Sequence, residues 1–202
     1  MIRLTEQEVL DKTADIIVES LRVDRSKVTP DAHLLDDLGA ESLDLIEITM
    51  ETESAFNVCI PEKSILDTAT EVFGPGILEK DGYLTEIGKQ LLNRRVPEAD
   101  RAKFEGEVSM ADVRKYFLTV RSWARMAYHL AQHTPTECPE CGSELKADTG
   151  FHLKCSKCGK EISLRSGEDL NREWVQQFYE TEYMASANNL VTSGAPAPNV
   201  SL

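Results

Sequence analysis

The sequence predicts a mainly α-helical protein with a small β module towards its C-terminal end. Three observations predict it. Capped stretches repeat apolar residues three and four apart along most of the chain. Four of the five cysteines form two C-x-x-C pairs between Cys138 and Cys158. No window approaches the ~18 consecutive apolar residues of a transmembrane helix, so no membrane insertion is expected.

The chain has 202 residues, room for one ordinary domain or a small domain with an appended module. Met1 to Glu6 lack the apolar stretch of an export signal, so the expected location is cytoplasmic. Net charge is −13, and residues 1–50 alone hold twelve acidic and five basic side chains. Such a half repels nucleic acid and anionic membranes and favours partners with basic surfaces. Solubility alone is the plainer explanation.

The helices follow in order. Thr5-Glu6-Gln7-Glu8 is a capping box. Val9, Leu10, Ala14, Ile17 and Leu21 then mark the first helix. Val23 to Glu41 reads as a long loop with Pro30 and Gly39, pinned by Val28, Leu34, Leu35 and Leu38. A loop of that length in a compact domain is often functional. The second helix should run from Ser42 to Phe56, and Pro61 closes the region. A short helix is expected around Ser64 to Val72, ended by Gly74-Pro75-Gly76. Thr85-Glu86-Ile87 starts another, with Arg94 and Arg95 suited to its C-terminus. Ser109 caps a run through Val113, Phe117, Val120, Ala124 and Ala127, about twenty residues long, which Pro135 ends. Leu170, Trp174, Val175 and Phe178 mark a C-terminal amphipathic helix. The Asn-, Ser-, Gly- and Pro-rich tail that follows is expected to be disordered.

At ~100° per residue the second helix carries two apolar stripes. Leu45, Ile48, Thr49, Thr52 and Phe56 form one, suited to the core. Leu43, Ile46 and Met50 form the other, with Glu41, Asp44, Glu47 and Glu51 beside it. A surface helix needs only one stripe. The second fits either a docking surface for another protein or burial on two sides. Ser42 opens this helix. A phosphate ester there would face free backbone N–H groups and the positive end of the helix dipole. By position alone, Ser42 is more simply an N-cap.

The string Asp37-Leu38-Gly39-Ala40-Glu41-Ser42-Leu43-Asp44-Leu45-Ile46-Glu47 resembles the phosphopantetheine attachment motif of acyl carrier proteins, D-x-L-G-x-D-S-L-D-x-V-E. The likeness runs through Phe56 to Ile60-Pro61. It implies an acyl-carrier-type four-helix bundle and a carrier, not an enzyme. Ser42 would accept phosphopantetheine from a Mg²⁺-dependent phosphopantetheinyl transferase. The arm's thiol would then hold acyl groups as thioesters for acyl-loading and acyl-processing enzymes with basic surfaces. Glu41, Leu43, Asp44, Ile46, Glu47, Met50 and Glu51 would form the docking surface. Glu41 departs from the usual Asp, and Thr49 and Thr52 from larger aliphatics. The family's last helix is implied near residues 108–118, leaving about 73–107 as an insertion. These departures imply a specialised carrier, for a fatty acid, polyketide or other acyl cargo.

Cys138-Pro139-Glu140-Cys141 and Cys155-Ser156-Lys157-Cys158 are each followed by glycine, Gly142 and Gly159. The spacing resembles a zinc ribbon, which holds Zn²⁺ tetrahedrally through four thiolates at ~2.3 Å. An Fe–S cluster uses the same donors, but the knuckle glycines favour zinc. Four thiols leave no open position, so the metal's role is structural and His152 is a strand residue. Cys59 stands apart and is expected to be a small buried hydrophobe.

The expected layout is a carrier-like domain over 1–133, a ribbon over 134–165, a helix over 166–186 and a tail over 187–202. The alternative function is a ribbon-based regulatory or interaction protein without a covalent cofactor. Over 134–163, Lys146, Lys154, Lys157 and Lys160 stand against Glu137, Glu140, Glu144, Asp148 and Glu161, so no basic stripe for nucleic acid emerges. A serine hydrolase is disfavoured because Ser42 lacks the G-x-S-x-G elbow.

Overall fold

The computed structural model describes residues 4–148 and 150–184. The expected tail over 187–202 lies outside the described residues. The helices are α1 (Glu6–Leu21), α2 (Ser42–Phe56), α3 (Ile65–Phe73), α4 (Glu86–Arg95), α5 (Met110–Phe117), α6 (Val120–Gln132) and α7 (Gly167–Phe178). The strands are β1 (Glu79–Lys80), β2 (Tyr83–Leu84), β3 (Leu145–Ala147), β4 (His152–Cys155) and β5 (Glu161–Ser163). The mainly helical class with a small β module is therefore observed. The chain divides into two compact units, Met1–Pro61 with Arg114–Gly167, and Glu62–Val113 with Glu168–Leu202.

In the first unit, α1 packs on α6 and α2. The Thr5 hydroxyl accepts the Glu8 N–H at 3.2 Å, and the Glu8 carboxylate accepts the Thr5 N–H at 2.7 Å. The helix ends at Arg22 in the left-handed region, φ 53°. Its inner face is Val9, Thr13, Ala14 and Ile17. Ala14, Ile17, Val28, Ala32, Leu34, Leu38, Ala40, Ile48 and Val120 form one buried cluster. Each large aliphatic side chain so buried stabilises by about 1.5–3 kcal/mol relative to exposure. Val28, Leu34 and Leu38 pin the loop as expected, but Leu35 is exposed.

The twenty-residue helix expected from Ser109 is two helices. Leu118 O accepts the Leu34 N–H at 2.9 Å, so it is diverted from the helical ladder. The Ser122 N–H goes instead to the Thr119 hydroxyl, which caps α6 at 3.2 Å. The two donors before it, Val120 N–H and Arg121 N–H, reach Ala32 O at 3.1 Å and Pro30 O at 2.7 Å. The helix that packs on α1 is thus α6, whereas the resemblance implied residues 108–118. The same pairing anchors the loop that leads to Ser42.

After α6 the chain forms a three-stranded antiparallel sheet, ordered β3-β4-β5. Leu145 opposes Cys155, and Leu153 opposes Ile162. Period-two alternation points Leu153 and Cys155 inward and His152 and Lys154 outward. Leu145 and Leu153 pack with Cys138 and Cys155 in a core of four buried residues.

The second unit holds α3, the β1–β2 hairpin, α4, the first half of α5 and nearly all of α7. Ser64 caps α3 and Thr85 caps α4. The hairpin was absent from the sequence expectation. Its turn is Asp81-Gly82, φ 54° and 86°, a pair that this tight turn requires. A 3-10 helix follows at Glu98–Phe104. Phe73 meets Tyr179 and Tyr183 edge-on, with ring centroids 4.9 and 5.2 Å apart. The Arg95 guanidinium lies 5.3 Å from the Trp174 ring centroid and donates to Asn171 Oδ1 at 3.0 Å. The expected C-terminal helix runs as α7 to Phe178 and continues as a π-turn over Tyr179–Tyr183.

Candidate functional site

The loop before Ser42 is tightly built. Asp37 Oδ2 accepts the His33 N–H at 2.8 Å, and His33 Nδ1 accepts the Asp36 N–H at 3.0 Å. Gly39 takes φ 72°, a left-handed conformation that suits glycine. Its N–H reaches Leu35 O at 3.0 Å, and Ala40 N–H reaches Leu34 O at 2.9 Å. With Leu38 and Ala40 buried, the turn fixes where α2 begins.

Glu41, in extended conformation, is the N-cap, and Ser42 is the first helical residue. The N-cap role open to Ser42 is therefore taken by its neighbour. Asp44 closes the cap by accepting the Glu41 N–H at 2.8 Å. The first α2 donor to reach a helical carbonyl is the Leu45 N–H, to Glu41 O at 3.1 Å. The Ser42 and Leu43 N–H groups precede it and point from the positive end of the dipole. Ser42 is exposed, and its hydroxyl makes no hydrogen bond among the described residues. The residues therefore fit a phosphate ester: a free hydroxyl beside free backbone donors.

Beyond Ser42, one face of α2 stays in solvent. Leu43 is 78 %, Ile46 57 % and Met50 63 % exposed. Glu41, Glu47 and Glu51 are exposed beside them, while Asp44 is half-buried by its capping role. The opposite face buries Ile48, Thr52 and Phe56. Thr49 and Thr52, the departures from larger aliphatics, turn their hydroxyls to Leu45 O and Ile48 O at 2.7 and 2.6 Å.

The four cysteines Cys138, Cys141, Cys155 and Cys158 converge, with all Sγ atoms within 4.8 Å of one another. Cys138 and Cys158 are 3.6 Å apart and Cys141 and Cys155 3.5 Å. A tetrahedron with 2.3 Å metal–sulfur bonds has edges of about 3.8 Å, so the set fits such a metal ion. The two knuckles repeat one geometry. Cys138 N–H donates to Ser143 O and Cys155 N–H to Lys160 O, both at 2.8 Å. Gly142 N–H returns to Cys138 O at 2.8 Å and Gly159 N–H to Cys155 O at 3.0 Å. Both glycines take positive φ, 68° and 73°.

The electrostatics of the cluster favour a cation. The Ser143 N–H and hydroxyl, with the Cys155 thiol, lower Cys141 to about 6. The Cys158 and Lys157 N–H groups lower Cys155. The Lys160 N–H favours the Cys158 thiolate, but the Cys155 thiol, burial and the other two thiols outweigh it and push Cys158 up to about 12. Cys158 thus resists ionising beside the other sulfurs, and holding all four as thiolates needs a bound positive charge. His152 lies outside this set, its Nδ1 3.3 Å from the Ser163 hydroxyl. Cys59, expected to be buried, is half-buried.

Helix, loop and exposed serine together define a protein of the phosphopantetheine-attachment class. The family described as "Phosphopantetheine attachment site" matches residues 11–70. An acyl carrier protein of Guillardia theta is 51 % identical over 59 residues, 29 % of this chain and 73 % of that protein. One of Chlorobium phaeovibrioides is 45 % identical over 60 residues, 30 % of this chain and 77 % of that protein. One of Cyanidioschyzon merolae is 44 % identical over 61 residues, 30 % of this chain and 67 % of that protein. The chain belongs to the acyl carrier protein family. The matched segment stops at residue 70, so α4 to α7 and the cysteine cluster lie outside it.

Proposed function

We propose that this chain is a specialised acyl carrier, with phosphopantetheine esterified to the Ser42 hydroxyl. The observation that carries the reading is an exposed, unbonded serine hydroxyl at the first turn of α2, inside the matched segment. When attached, the arm supplies a terminal thiol that holds an acyl group as a thioester. The chain's own part is to hold the phosphate end against the Ser42 and Leu43 N–H groups and to keep α2 rigid behind it. Leu43, Ile46 and Met50, edged by Glu41, Asp44, Glu47 and Glu51, would meet the transferase and the acyl-processing enzymes. Apolar contact gives affinity there, and the carboxylates steer basic surfaces. The protein would thus be a substrate of enzymes, working in a cytoplasm that keeps its thiols reduced. Cys138, Cys141, Cys155 and Cys158 would hold one Zn²⁺ in a structural role.

Incubation with coenzyme A, Mg²⁺ and a broad-specificity phosphopantetheinyl transferase should add the mass of one arm. Ser42→Ala should add none while keeping the same helical content. An unmodified wild-type chain after treatment with several transferases would overturn the reading.

A further inference from the structure

The cysteine module is joined to the rest of its unit at both ends, and both joints fall on one short segment. Where the chain enters the module, the Thr134 hydroxyl donates to Asn57 O at 3.1 Å. Where it leaves, Gly167 N–H donates to Cys59 O at 2.8 Å, and Ser166 forms a parallel bridge with Cys59. The approach is close. A Cβ on Gly167 would lie 2.5 Å from Pro61 Cδ and 2.7 Å from Cys59 O, so only glycine fits. Residues 57–61 are the segment that directly follows α2. They are held from the helix side by Val58 N–H to Glu53 O at 3.2 Å and Ile60 N–H to Glu53 Oε1 at 2.8 Å.

Between the two joints, the module's own buried core is Leu145 and Leu153 with the sulfurs of Cys138 and Cys155. So small a core does not hold three short strands without a metal. The position of Thr134 relative to Gly167 therefore depends on the ion held by the four cysteines.

From these contacts we infer that the metal site is a clamp on the C-terminal end of α2. With the ion bound, the module's two ends hold Asn57 to Pro61 in place. Without it, Thr134 and Ser166-Gly167 are no longer fixed relative to each other, and their bonds to Asn57 and Cys59 loosen. The Ser42 end keeps its separate anchors, the Leu34–Leu118 and Ala32–Val120 bonds, whose residues lie outside the module. The clamp thus links metal occupancy to the far end of the helix that carries the exposed face. It stands apart from the carrier reading, because it concerns no atom of Ser42 or its arm.

Amide hydrogen exchange on the full chain tests it, after metal analysis shows about one ion per chain. Stripping the ion with a chelator should speed exchange at Val58, Ile60 and Gly167 roughly tenfold or more, as expected when about two hydrogen bonds are released. Gly39, Ala40 and Leu45 should keep their rates. Gly167→Ala should speed exchange at Val58 and Ile60 in the same way while keeping its metal. Unchanged protection at Val58 and Ile60 in either the stripped protein or the Gly167→Ala variant would overturn the clamp. A chain that purifies without metal would overturn it too, by removing the ion it needs. The mass test at Ser42 reads the carrier proposal separately.

Discussion

The indole N–H of Trp123 donates to the Thr52 hydroxyl at 3.2 Å, joining α6 to α2 inside the first unit. Thr52 is fully buried and in turn donates to Ile48 O. The pair is therefore asymmetric. Thr52→Val leaves the indole donor without its acceptor and should cost about 1–3 kcal/mol. Trp123→Phe leaves Thr52 still bonded to Ile48 and loses one net hydrogen bond, about 1 kcal/mol, plus whatever packing changes. Urea unfolding of both variants and the double variant checks this. A coupling energy near zero would mean that the bond contributes nothing.

Charge on α2 should act through rate and not through fold. Glu47 and Glu51 are exposed, and no described residue is hydrogen-bonded to either. Glu47→Lys with Glu51→Lys should slow arm transfer to Ser42 about tenfold at low salt, with the gap narrowing above ~0.5 M salt as screening shortens the field. The melting temperature should move by less than about 2 °C, as for ordinary surface substitutions. Equal transfer rates at low salt would make these carboxylates a solvated face only.

The cysteine cluster should behave as a folding unit. Cys155 is buried, its sulfur accepting the Lys157 N–H at 3.4 Å and the Cys158 N–H at 3.5 Å. Cys155→Ser should release the metal and unfold residues 136–165, while α1, α2 and α6 keep their circular dichroism signal. Cys59→Ser should retain the metal, because Cys59 lies outside the cluster. A colorimetric zinc assay with limited proteolysis of the module reads both. Full metal content in Cys155→Ser would show that the four sulfurs are not the ligands.

Much of this architecture is legible in local sequence, and the illegible parts have identifiable causes. The bounds of α2 could be read because its start, its period and its end depend on residues near one another. The Cys knuckles are equally local, since spacing and two glycines fix their shape. The break at Leu118 is decided by the distant Leu34 N–H, which takes a carbonyl that the helical period assigned to Ser122. Leu35 shows the same limit from the other side. Its apolar neighbours Leu34 and Leu38 are buried, and only the turn at Gly39 decides that Leu35 itself faces out. The β1–β2 hairpin is different: Asp81-Gly82 is a local signal, but two-residue strands offer no alternation to support it. At the candidate site, the motif marked Ser42, whereas the cap passing to Glu41 depended on backbone conformation. The joint between Gly167 and Cys59 left no mark beyond a glycine at a helix start.

Glu53 gives the segment after α2 a pH signature. Its Oε1 holds the Ile60 N–H, and partial burial raises its pKa although that hydrogen bond works the other way. For an acid raised in the folded state, the folded chain binds its proton more tightly than the unfolded chain does. The stabilisation this brings is complete below the unfolded carboxylate range and fades as pH rises through the folded value. Above the folded value the side chain is ionised in both states, and folding carries the penalty of partly desolvating that charge. Glu53→Gln keeps an oxygen for the Ile60 N–H and removes the charge. It should therefore raise the melting temperature modestly at pH 7, with the advantage shrinking towards pH 4 as glutamate takes up its proton. Because Glu53 is only half-buried, the gain should be no more than a few degrees. A variant less stable than wild type at pH 7 would show that the charge-assisted bond to Ile60 outweighs the desolvation.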